Sequence, residues 1–148
     1  DSGPKLKTTK LEASSFEYFN SLANQIIVID SLLGGFSVAV IANLLISDTN
    51  TRLLRIIMHV TVLAASFFLA SLFALTRVLL LTTDGYPFET KEESIISLSS
   101  IGSVTLVLGI MSMITMISLS GWTKSKKTGI FTTVIGILTF LFILTMLF

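Results

Sequence analysis

Four stretches of the chain are almost continuously apolar, and short polar segments separate them: Leu22–Ser47, Leu53–Thr83, Ile95–Trp122 and Gly129–Phe148. Each reaches or exceeds the ~20 apolar residues that a helix needs to cross a bilayer. The runs show no two-residue alternation of the kind a membrane barrel requires. A helix satisfies every backbone group within its own segment, which hydrocarbon demands. The pattern therefore predicts an all-α fold, a four-transmembrane-helix bundle over residues 22–148, with spans at about 22–47, 53–83, 95–122 and 129–148.

The connections fit this reading. Ser47–Thr51 is a tight polar turn, and Thr83-Asp84-Gly85-Tyr86-Pro87 carries turn chemistry. Trp122–Lys127 reads as the third loop. Tyr86, Phe88 and Trp122 fall at span ends, where aromatic rings favour the interface. The second span, about 31 residues, is longer than a ~30 Å core requires, so it tilts or protrudes.

Residues 1–21 differ. Thr9 and Glu12 have capping-box spacing. Leu11, Tyr18, Phe19 and Leu22 fall on one side of a helical wheel, with Lys10, Glu17, Asn20 and Ser21 on the other. The segment reads as a short N-terminal amphipathic helix at the interface. A plain extension of the first span explains it as well.

Composition agrees. Of 148 residues, 52% are hydrophobic and 13% charged, about half the usual charged share of a soluble domain. Mean hydropathy is +0.88. A net charge of +1 excludes a basic nucleic-acid binder. With no cysteine, one histidine, no Gly-rich phosphate loop and no HExxH, the sequence points to no enzyme, no cofactor and no metal site. It reads as a multi-pass integral membrane protein, its membrane unspecified. Lysine and arginine divide evenly between the two sides, so orientation is not set.

Candidate chemistry then rests on polar residues inside the spans, where each is costly. Gln25, Leu32, Phe36, Ala39 and Asn43 share one stripe of span 1, with an amide near each end and an apolar middle. The stripe suits either a pore with wet mouths and a hydrophobic constriction or two amides bonding to neighbouring helices. Asp30 lies deep in the span on another stripe, with Gly34 and Ser37. It reads as an intramembrane ion pair with Arg77, or as an ion or proton site. His59, early in span 2, is a hydrogen-bonding or pH-sensitive candidate. Gly102 and Gly109, and likewise Gly129 and Gly136, recur with Thr and Ser at three- and four-residue spacing, the pattern of close helix packing.

The run Ser31-Leu32-Leu33-Gly34-Gly35-Phe36-Ser37-Val38-Ala39-Val40-Ile41-Ala42-Asn43 resembles the pore helix of the Orai calcium channels. The resemblance implies four spans per subunit, first helices gathered around a central pore, both termini in the cytoplasm, and pore-lining roles for Leu32, Phe36 and Ala39. Asn43 occupies the position of that family's selectivity glutamate, and Val28 is apolar where the family's inner pore end is basic. The expectation is a small homo-oligomeric ion channel passing an inorganic cation, its partners being the lipid bilayer and copies of itself. The alternative is a non-catalytic accessory subunit of a larger membrane complex.

Overall fold

The computed structural model describes residues 4–47, 51–83 and 92–147, with side chains described from Ser15 on apart from those of residues 16, 92, 146 and 147. All four elements are helices: α1 (Pro4–Ile46), α2 (Arg52–Leu81), α3 (Glu92–Lys124) and α4 (Lys126–Leu147). Each contains a segment long and apolar enough to cross a membrane: Glu17–Ile46, Arg52–Leu81, Glu93–Lys124 and Lys126–Thr145. The chain is thus an all-α four-helix membrane protein.

The helix boundaries follow local chemistry. α1 runs unbroken from Pro4, where proline's fixed φ suits a first turn. Helix therefore starts ahead of the Thr9–Glu12 spacing, and the backbone runs without a break from Pro4 into span 1. The sidedness of Lys10 and Leu11 lies outside the described side chains, and residues 84–91 of the second loop lie outside the described residues. Thr51 caps α2: its side chain accepts from the Leu54 amide at 3.3 Å.

The third connection is shorter than the sequence suggests. α3 continues to Lys124 and α4 starts at Lys126, leaving Ser125 between them. The Ser125 hydroxyl accepts from the Thr128 amide at 3.1 Å, as an N-cap does. Polar, charged residues drew the sequence boundary too early, because these helices extend past the apolar run into the interface.

The helices pack in chain order. α2 lies between α1 and α3, α1 touches α3 only slightly, and α4 packs on α3 alone. α1 and α4 are therefore opposite flanks of the layer. The buried face of α2 recurs at helical spacing through Ile57, Thr61, Ala64, Ala65, Phe68, Ser71, Leu75 and Val78. Two apolar clusters form on it. One unites Ala23, Leu75, Val78 and Ile95, and the other Ala64, Phe68 and Met113.

Glycine permits the close approaches. A Cβ on Gly102 would meet Leu75 at 2.8 Å, and one on Gly109 would meet Phe68 at 2.8 Å. On α4, Gly129 lies under the Trp122 ring and Gly136 against Ser118 and Ile114. Gly102 and Gly109 thus face α2, while Gly129 and Gly136 face α3. Without attraction between apolar surfaces in lipid, such backbone proximity is what holds helices together.

Candidate functional site

Asp30 lies between the two apolar clusters. Along α1 it falls between Ala23 and Leu33, which belong to the first and second cluster respectively. Ser71 of α2 falls between Phe68 and Leu75, and Gly102 of α3 between Ile95 and Leu106. One polar layer, drawn from three helices, is thereby sandwiched between apolar ones.

Asp30 is only 1% exposed, and neither carboxyl oxygen takes a hydrogen bond from a described residue. Ser71 faces it across the α1–α2 seam. The Ser71 hydroxyl instead gives its proton to the Gly102 carbonyl at 2.9 Å. The other buried hydroxyls bond within their own helices: Ser37 to the Leu33 carbonyl at 2.9 Å and Thr61 to the Ile57 carbonyl at 2.7 Å. Among these four buried polar side chains, Asp30 is the one with no donor. Isolated burial of an ionised carboxylate costs several kcal/mol, so this position is held against its own solvation.

The pairing expected between Asp30 and Arg77 does not form. Arg77 is exposed, and no described residue donates to Asp30. Register and sidedness both separate them. Asp30 sits level with Ser71, six residues short of Arg77 on α2, or about 9 Å along the axis. Arg77 also neighbours Val78 on the wheel at ~100° and Leu75 at ~200°, so it leaves the buried face.

The stripe of Gln25, Leu32, Phe36, Ala39 and Asn43 lies on the other side of α1. At ~100° per residue its members fall about 180–240° from Asp30. All five are exposed, Leu32 at 69% and Phe36 at 52%. Asn24, Ser31 and Gly35 beside them are exposed as well. The packing thus separates Asp30, turned toward α2, from the amide-ended stripe, turned outward. His59 is exposed on α2, two residues from each of the buried Ile57 and Thr61, and so points away from α1 and α3.

Sequence reasoning did not single out Ser71. Its signal was its place on the stripe of Phe68, Leu75 and Val78, where a small hydroxyl interrupts an apolar face. It also missed the link between Asn20 and Thr82, whose amide and hydroxyl meet at 3.0 Å near the membrane surface. No group of three or more His, Cys, Asp or Glu that would hold a metal occurs among the described residues.

These features define a class: a multi-pass helical membrane protein with, among the described residues, one buried carboxyl that takes no hydrogen bond and one outward polar stripe. Comparison of the chain with protein-family models, with curated proteins and with solved structures finds no match.

Proposed function

We propose that the protein is a homo-oligomeric ion channel in which α1 lines the pore. One observation carries this reading: α1 is a flank helix whose outward face bears Gln25 and Asn43 at its ends and Leu32, Phe36 and Ala39 between them. Amides turned to hydrocarbon are costly, so this face needs water or another chain against it. Gathering several copies about an axis beside α1 gives each amide a wet mouth and leaves a narrow apolar stretch between, where a channel gates by dewetting. α4 supports the same arrangement. It is the opposite flank, and from Gly129 on it has no ionisable residue, so it suits the lipid side.

The cargo of such a pore is an inorganic cation. Neutral Asn43 amides supply a weaker field than a ring of carboxylates, so the wild-type channel discriminates poorly between divalent and monovalent ions.

The test is mass and current together. The detergent-solubilised particle is expected to be a ring of identical chains that conducts in planar bilayers. Co-purification of different chains, with no current from the isolated protein, would favour an accessory subunit.

A further inference from the structure

α3 and α4 enclose a second feature, remote from Asp30 and from the outward stripe. A groove of about 480 Å³ runs between them, lined by Met111, Thr115, Ser118 and Trp122 on α3 and by Ile137 and Leu141 on α4. Gly136 forms part of its wall, and its missing side chain lets α4 come close to Ser118 and Ile114. From Trp122 to Met111 it extends about 16 Å, the reach from the interface to the bilayer midplane.

Its polar atoms are already engaged. Thr115 donates to the Met111 carbonyl at 2.8 Å, Ser118 to the Thr132 carbonyl at 3.5 Å and Thr133 to the Gly129 carbonyl at 2.7 Å. Trp122 Nε1 donates to the Thr133 hydroxyl at 3.1 Å. Every hydroxyl proton in the groove is spent on a neighbouring backbone, so the walls offer hydrocarbon contact and no donor for a polar solute.

The mouth has the opposite character. Lys124, Lys126 and Lys127 are all exposed in the turn above Trp122. The positive end of the α4 dipole adds to them. On this membrane side the sequence supplies one acid, Asp48, whereas the other loop region holds Asp84, Glu89, Glu92 and Glu93. Three ammonium groups above an apolar slot match a negatively charged headgroup above an acyl chain.

We propose that the α3–α4 groove binds an anionic phospholipid of the surrounding leaflet, with one acyl chain between Trp122 and Leu141 and the phosphate at Lys124, Lys126 and Lys127. The proposal rests on the membrane-spanning fold and is independent of the channel reading. It commits to a bilayer lipid, not to a second copy of the chain, because charge and chain length both match.

Trp122 is the chain's one tryptophan and so reports on this site. The full-length protein is reconstituted into phosphatidylcholine vesicles, in which either phosphatidylcholine or phosphatidylglycerol carries dibrominated chains that quench indole fluorescence. Wild type should associate with the brominated phosphatidylglycerol at least about threefold more strongly, and added salt should shrink the preference. The combined variant Lys124→Gln, Lys126→Gln, Lys127→Gln should bring the ratio to about one, whereas the matching Lys→Arg variant should retain it. Equal quenching of wild type by both lipids would overturn the proposal. So would a preference unchanged in the Gln variant. Indifference of Trp122 to brominated chains altogether would mean that protein covers the groove, and would overturn it equally.

Discussion

The hydroxyl of Ser71 donates to the carbonyl of Gly102 at 2.9 Å, joining α2 to α3 at the level of Asp30. That bond takes the proton that would otherwise serve Asp30. It is possible because Gly102, with no side chain, lets Leu75 and the α2 backbone come close.

Ser71→Ala removes this interhelical bond but leaves the Gly102 carbonyl the Thr105 hydroxyl at 3.0 Å. The expected loss is modest, about 0.6–1 kcal/mol, as for other hydrogen bonds between membrane helices. Ser66→Ala, which removes a bond within one helix at an exposed position, should change stability by less than about 0.5 kcal/mol. Equilibrium unfolding in mixed micelles measures both.

Asp30→Asn keeps the volume and removes the ionisable group from a site with no donor. Stability at alkaline pH, where the buried carboxyl would have to ionise, should rise by about 1–3 kcal/mol, since an amide is cheaper to bury than a charge, and the gain should shrink as the pH falls. Arg77→Gln should lie within about 0.5 kcal/mol of wild type. The double variant should be additive, because the two side chains share no contact. A coupling energy above about 1 kcal/mol would restore the ion pair.

Gly109 tests the tight α2–α3 seam. The Cβ of Gly109→Ala would lie 2.8 Å from the ring of Phe68, which is fully buried. Overpacking of this kind costs about 1–3 kcal/mol. Phe68→Leu added to Gly109→Ala should recover part of that loss, visible as a positive coupling in thermal unfolding of the solubilised protein.

Asn43→Asp tests the outward stripe of α1. If copies meet there, it places a ring of carboxylates at one mouth. Divalent-over-monovalent selectivity should then rise, read from reversal potentials under bi-ionic conditions. Equal selectivity in wild type and variant would count against the pore.

Four spans place both termini on one membrane side, so tags at the two ends should label from the same side. Labelling from opposite sides would mean that one of the four apolar helices does not cross.

The four apolar runs were enough to predict helices, their number and their membrane setting, because hydrocarbon leaves the backbone no other way to satisfy itself. The stripes of α1 were equally legible, since helical periodicity is a local property. Asp30 stood out for the same reason: a carboxyl in an apolar run is conspicuous wherever it points. What the sequence could not give was its partner. Whether Asp30 meets Arg77 or Ser71 depends on the axial register and rotation of α2 against α1, which are set by Gly34 facing Phe68, where an added Cβ would stand 3.6 Å from the Phe68 Cβ, and by Ala23 packing with Leu75 and Val78. Spacing within one helix carries no information about that register. The groove beneath Trp122 was hidden for the same reason: it exists only because Gly136 and Ser118, eighteen residues apart, are brought side by side by a turn reduced to Ser125.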